Sequence, residues 1–202
     1  MNFLINIILD LLFPRRCPVC GQIVMPKGSL ICLGCVKKLS WVRGPVCKCC
    51  GKEIISGTME YCPDCAAHPR SFSHGMALFN YNEISAPSLA MVKYHDRREY
   101  LDFYAEAAYR RYAKTIARLS PDLIIPVPVH KSRLKKRGFN QAEEFGKRLS
   151  GYLGIPMSSE YLIRSKKTAP QKDLGPALRL KNLEQAFFCK KLPSGMKKSS
   201  PY

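Results

Sequence analysis

Nowhere in its 202 residues does the chain carry the run of about 20 apolar residues that a membrane-spanning helix requires. Its nearest approach, Phe3 to Phe13, is broken by Asn6 and Asp10, so a bilayer span is not expected. No basic residue precedes that stretch, Arg15 and Arg16 follow it, and no small-residue cleavage site closes it. These absences argue against a secretory signal and for a cytoplasmic location, where thiols stay reduced. Leu4, Ile7, Ile8, Leu11 and Leu12 recur at helical spacing, which predicts one amphipathic helix over residues 1–16, packed on the rest of the chain. A membrane-surface anchor would carry Lys and Arg along its polar face, and this stretch does not. Acidic residues are scarce too. Against 33 Lys and Arg stand 15 Asp and Glu, a formal charge of +18, which predicts attraction to polyanions or anionic substrates. With 46% hydrophobic and 24% charged residues the composition is globular, which excludes wholesale disorder and collagen-like architecture.

Cysteine is abundant. Cys17, Cys20, Cys32 and Cys35 have the spacing C-x2-C-x11-C-x2-C, and Cys47, Cys50, Cys62 and Cys65 reproduce it with every position offset by 30 residues. Gly21 and Gly51 repeat with them. Two residues between paired cysteines let a tight turn aim both sulfurs at one ion, and a glycine just after the pair supports that turn. Each quartet can close one tetrahedral all-thiolate Zn2+ site with no open position, so two structural zinc ions are expected over residues 17–72. A disulfide framework is the alternative, disfavoured by the reducing compartment and the paired spacing. Cys49 aligns with Val19 rather than with a ligand and reads as a spare thiol; His68 reads as a surface histidine and Cys189 as a small buried apolar residue.

The charge is unevenly placed. Residues 1–80 hold 9 Lys and Arg against 4 acids, a formal +5, and residues 81–202 hold 24 against 11, a formal +13. Eight thiolates on two Zn2+ ions reduce the first figure to about +1. A zinc-rich part so nearly neutral is a weak candidate for non-specific nucleic-acid binding, which depends on excess Lys and Arg.

From Ser73 the texture changes. Met76 to Tyr81 reads as a short strand and Asn82 to Pro87 as a turn. Leu101, Tyr104, Ala105, Ala108, Tyr112, Ile116 and Leu119 mark the core face of a helix, with Arg110, Arg111, Lys114 and Arg118 as its solvated edge. The segment DLIIPVPV then reads as a buried strand, and Ala142, Phe145, Leu149 and Tyr152 as another amphipathic helix. Strand, loop and helix in that order are the unit of a parallel α/β sheet, which binds ligands at the C-terminal ends of its strands. The intervening HKSRLKKRGFNQ places Lys131, Arg133, Lys135, Lys136 and Arg137 within seven positions, followed by Gly138 and by Asn140 as a helix N-cap. Arginine clamps phosphate oxygens, glycine permits close backbone approach and a helix N-terminus adds N–H donors, so the loop is a candidate phosphate site. A solvated basic loop is the alternative. His130 is expected to hydrogen-bond at the strand end rather than to act as a base.

LFPRRCPVC, the doubled cysteine set, VKYHDRREY, DLIIPVPVHKSRLKKRGFNQAE and TAPQKDLGPALRLKNLEQAF, in this order, resemble the ComF family of competence-associated, phosphoribosyltransferase-like proteins. The resemblance runs from about residue 5 to residue 188. It implies a double zinc ribbon at 17–72 and a type I phosphoribosyltransferase-like parallel α/β sheet domain at 73–188, while residues 189–202 read as a basic irregular tail outside it. It also implies a role in uptake of transforming DNA. Arg133, Arg137, Gly138, Asn140 and Gln141 match the family loop that faces pyrophosphate. Lys93 matches a position near that site, and Thr168, Pro170, Gln171, Arg179 and Asn182 match a loop that covers the ligand.

One departure stands against these matches. After AFF the family continues into an apolar strand, two acidic residues and a Thr-Thr-Gly turn that binds the ribose 5-phosphate of phosphoribosyl pyrophosphate. Here the chain runs CKKLPSGMKKSSPY. The expectation is therefore an incomplete domain, truncated at its C-terminus, that binds phosphoribosyl pyrophosphate or a related phosphorylated ligand weakly and performs no transferase chemistry. A zinc-ribbon module contacting single-stranded DNA or competence proteins is the alternative.

Overall fold

The computed structural model of the chain describes residues 12–68, 70–166, 168, 175, 178, 182–183 and 186–192. The helix expected over 1–16 lies almost wholly outside them. The chain forms two compact units that divide between Tyr112 and Ala113, and each is described by itself.

In the first unit the 30-residue repeat of the sequence returns as a repeat of backbone hydrogen bonds. The Cys17 N–H donates to the Gln22 carbonyl at 2.7 Å and the Cys47 N–H to that of Lys52 at 2.8 Å, while the Gly21 and Gly51 N–H groups donate to Cys17 and Cys47 at 2.9 Å each. An antiparallel bridge closes each turn, Arg16 with Ile23 and Val46 with Glu53. The second cysteine pair of each quartet sits at the start of a one-turn helix, α1 (Leu33–Val36) and α2 (Pro63–Ala67). Both Gly21 and Gly51 adopt positive φ, 70° and 71°, a conformation that costs any residue with a Cβ. Among the described residues only the second turn is covered: a Cβ on Gly51 would stand 2.4 Å from the Gly75 carbonyl oxygen, whereas one on Gly21 would meet none of them within 4 Å.

Two helices follow, α3 (Ser85–Tyr94) and α4 (Tyr100–Leu119). The first half of α4 buries Leu101, Phe103, Tyr104, Ala105 and Ala108, and its rings join Phe79 and Trp41 in one aromatic cluster with centroids 4.5–6.1 Å apart. Buried Tyr104 donates its hydroxyl to Ser88 Oγ at 2.6 Å, and burial pushes its pKa up, so it stays a neutral donor. The strand expected over 76–81 reduces to one antiparallel bridge between Phe79 and Trp41, because the partner is itself a loop of the ribbon. The basic edge of α4 is not only solvated: Arg111 reaches the Val42 carbonyl. Leu119, expected in the core, is 51% exposed.

The second unit is built around α5 (Lys131–Arg137) and α6 (Gln141–Leu153). The stretch expected as a basic loop is thus a two-turn helix. His130 opens it by accepting the Ser132 N–H at 3.2 Å, and Gly138, at φ 80°, ends it in the left-handed conformation that glycine adopts most readily. Asn140 Oδ1 caps α6 by accepting from the Ala142 N–H at 3.2 Å; Glu143 and Glu144 complement the first turn and pair with Lys147 and Arg148.

The segment 122–129 is extended, with Ile124 in a parallel bridge to Met157. It is not a buried strand: Val127 is 57% exposed, and Pro126 and Pro128 offer no N–H to a neighbour. The sheet formed among the described residues is antiparallel and two-stranded, β1 (Leu162–Arg164) against β2 (Phe187–Cys189), with Arg164 opposite Phe187. The expected parallel sheet is therefore represented here by the single Ile124–Met157 bridge. Cys189 is exposed on β2 rather than buried, since this strand has solvent on its outer side. Among the described residues no helix is long and apolar enough to cross a membrane.

Candidate metal centres and basic site

The metal centres follow from the two repeated turns. Each C-x-x-C knuckle turns two thiols toward one point, and the N-terminus of α1 or α2 delivers the other two. The sulfurs of Cys17, Cys20, Cys32 and Cys35 lie within 4.8 Å of one another, as do those of Cys47, Cys50, Cys62 and Cys65. A tetrahedron with sulfurs about 2.3 Å from a central Zn2+ has edges of about 3.8 Å. Cys50 and Cys62 are 3.8 Å apart, far beyond the length of about 2.05 Å of a disulfide. Every cysteine is free.

The thiols of each quartet oppose one another's ionisation. Burial opposes ionisation of Cys17 and Cys47, but backbone N–H groups outweigh it, from Cys20, Cys32 and Val19 for the first and from Cys50, Cys62 and Cys49 for the second; the two thiols come down to about 7 and about 6. In each quartet another thiol moves the opposite way. Cys35 is pushed up to about 12 by burial and then by its Cys20 and Cys17 neighbours, and Cys65 rises for the same reasons. Four thiolates so close together are stable only around a cation. The donor set therefore fits two closed, structural zinc sites, in which the ion cross-links two loops and offers no open position to a substrate.

Cys49 is not among the four clustered sulfurs, and its carbonyl accepts the Gly75 N–H at 2.6 Å. His68, at the end of α2, faces Asp64 and no metal ligand. Within the same unit a cleft of about 770 Å³ is lined by Leu33, Val36, Trp41, Phe103, Arg110 and Arg111, among others.

In the second unit the residues singled out for phosphate are sorted by α5. Arg133 and Arg137 stand four positions apart on one face and are half-buried, while Lys131, Lys135 and Lys136 are exposed. Arg137 donates to Gln141 Oε1, and Arg133 donates to the Thr168 carbonyl at 3.4 Å. Arg133, Arg137, Gln141 and Thr168 are thus brought to one face. Asn140 serves the protein itself: 7% exposed, it caps α6 through Oδ1 and donates Nδ2 to the Val127 carbonyl at 3.1 Å. Both ends of its amide are engaged, which ties the extended segment to the start of α6. Lys93 belongs to the last turn of α3, in the first unit. Pro170, Gln171 and Arg179 lie outside the described residues, and Asn182 is half-buried.

One residue of this neighbourhood escaped sequence reasoning. Arg164, at the end of β1, donates to Thr168 Oγ1 at 2.5 Å, and its guanidinium lies 5.3 Å from the centre of the Phe187 ring. A lone arginine in a three-residue strand belongs to no motif and gives no spacing signal.

Comparison with known proteins bears on both regions. Residues 8–66 match the double zinc ribbon domain family. The chain is 31% identical over 179 residues to competence protein F of Haemophilus influenzae, covering 87% of this chain and 76% of that protein. It is 25% identical over 150 residues to competence protein ComFC of Bacillus subtilis, covering 68% and 60%. It is 28% identical over 147 residues to the DNA utilization protein YhgH of Escherichia coli, covering 70% and 63%. In the last two comparisons the chain spans less than two thirds of the relative's length. No solved structure matches it.

Proposed function

The chain belongs to the ComF family, and on that premise we propose that it is a cytoplasmic protein of DNA uptake or utilization that binds a phosphorylated ligand and does not turn it over. Residues 17–72 are its double zinc ribbon, a structural unit. Residues 73–188 are a phosphoribosyltransferase-like domain whose ligand is phosphoribosyl pyrophosphate or a related compound.

The observation that carries this reading is the sorting of charge on α5. Arginines give planar, bidentate clamps for phosphate, and Arg133 and Arg137 are the two basic residues of the helix that turn inward, directly after the extended segment 122–129. Half-burial strengthens their attraction for an anion relative to a solvated lysine. Binding the pyrophosphate end alone does not position the ribose for displacement at its anomeric carbon. An acidic pair followed by Thr-Thr-Gly does not occur within residues 1–202, and transferase chemistry needs donors that hold the 5-phosphate as well as the pyrophosphate.

Calorimetry with phosphoribosyl pyrophosphate, on the zinc-loaded chain at low and moderate salt, tests the binding. Chromatography of reactions containing each nucleobase tests the chemistry. Weak association that fades with salt and no nucleotide product are expected; tight, salt-independent binding or any turnover overturns the reading. A second reading is favoured by the outward face of α5, where Lys131, Lys135 and Lys136 are exposed together: a surface for the backbone of single-stranded DNA, held by charge rather than by base contacts.

A further inference from the structure

Arg164 is held in an unusual way. Its Nε is buried and has no hydrogen-bond partner, although the end of the same guanidinium reaches Thr168 Oγ1. The Arg133 guanidinium approaches the same residue from its carbonyl side. Two arginines therefore converge on Thr168 from different elements, β1 and α5. Among the described residues neither takes part in an ion pair, while Glu143 and Glu144 of α6 are spent on Lys147 and Arg148. The Arg164 guanidinium is also destabilised as a cation, first by burial and then by the charge of Arg133.

We propose that Arg164 and Arg133 form a paired phosphate-binding site beside Thr168, in which Arg164 is a ligand-binding residue for a phosphate or pyrophosphate group. The proposal rests on the reading of α5 given above and extends it to a second strand. Two like charges converging on one residue repel each other, and a dianion between them reverses the sign of that interaction. Among the described residues the Arg164 guanidinium donates only to Thr168 Oγ1, which leaves N–H groups for the bidentate recognition of phosphate. Cross-strand stacking of the guanidinium on Phe187 fixes its plane before the ligand arrives, so little side-chain freedom remains to be lost on binding.

The test uses the full zinc-loaded chain and inorganic pyrophosphate as the probe, followed by calorimetry at low ionic strength and by the ligand-induced shift in thermal midpoint. Arg164→Gln should weaken pyrophosphate at least tenfold and abolish the midpoint shift, with zinc content unchanged. Arg164→Lys, which keeps the charge but loses the fork, should weaken it severalfold. Arg133→Gln should weaken it as well. Pyrophosphate affinity unchanged in Arg164→Gln while Arg133→Gln weakens it overturns the proposal and leaves the α5 reading standing; no binding by the unaltered chain overturns both. Should Arg164→Gln fail to fold, Arg164→Lys decides, and unchanged affinity in that variant overturns the proposal.

Discussion

The two zinc knuckles differ in one respect that makes each a control for the other. Gly21 and Gly51 occupy equivalent turns at φ 70° and 71°, so alanine at either should cost about 1–2 kcal/mol for the left-handed backbone. At Gly51 a second cost is added, because the new Cβ would stand 2.4 Å from the Gly75 oxygen, 2.9 Å from its carbonyl carbon and 3.0 Å from Met76 Cα. All three are backbone atoms and cannot rotate away. The Gly75 N–H is moreover bound to the Cys49 carbonyl at 2.6 Å, so relief of the clash moves the knuckle that carries Cys47 and Cys50. Overpacking of this kind costs about 1–3 kcal/mol, and that is the expected difference between Gly51→Ala and Gly21→Ala. Because metal binding and folding are coupled in such sites, the difference corresponds to roughly 5- to 150-fold in zinc retention at the second quartet. A chelator titration followed by native mass spectrometry, with thermal midpoints measured in parallel, reads both quantities. Gly21→Ala should keep both ions at chelator concentrations where Gly51→Ala has dropped to one. Equal behaviour of the two variants would refute the packing argument, since the backbone cost alone is the same in each.

Native mass spectrometry of the unaltered chain should give two Zn2+ per molecule; Cys49→Ser should keep both, while Cys65→Ser should lose one, and loss of an ion in Cys49→Ser would mean that the ligand set is wrong. Binding to single-stranded DNA should weaken steeply with salt, and Lys131→Ala, Lys135→Ala and Lys136→Ala together should reduce the slope of log affinity against log salt by about 2, from about 0.7 per phosphate contact. An unchanged slope in that triple variant, measured by fluorescence anisotropy, would remove the outward face of α5 as the DNA surface.

The zinc centres were fully legible because everything they need is local. Thiol spacing sets the knuckle, the glycine after it sets the turn, and a second copy 30 residues on confirms the register that singles out Cys49 as the odd thiol. The helices α4 and α6 were legible for a related reason, since their apolar spacing and the Asn140 cap are read within one segment. The strands were not. A hydrophobic run such as DLIIPVPV states that it is extended and apolar, but whether it is buried depends on neighbours elsewhere in the chain, and Val127 has none that cover it. MALFNY failed likewise, because a strand exists only where a partner offers a free edge, and the partner of Phe79 is the loop at Trp41.

The basic stretch shows most clearly where spacing stops being informative. Read as a string, five cations and a glycine suggest a loop; folded, the glycine is the left-handed cap that ends a helix, and the helix divides the cations into two classes. Residues 133 and 137 turn inward and 131, 135 and 136 outward, a distinction that depends on a period of 3.6 and is invisible while the segment is taken as irregular. That division separates two chemistries that net charge could not. On the proposed reading the inward arginines, with Thr168, hold a single phosphorylated ligand in fixed geometry, and the outward lysines offer screened, sequence-blind attraction to a polyanion. In the proposed site Arg164 joins the inward group from 27 residues beyond Arg137 in the chain, across a strand pair that brings Phe187 beneath it. A site assembled from a helix face, a strand end and a loop residue has no sequence period of its own, so its strand residue is found only in the folded chain.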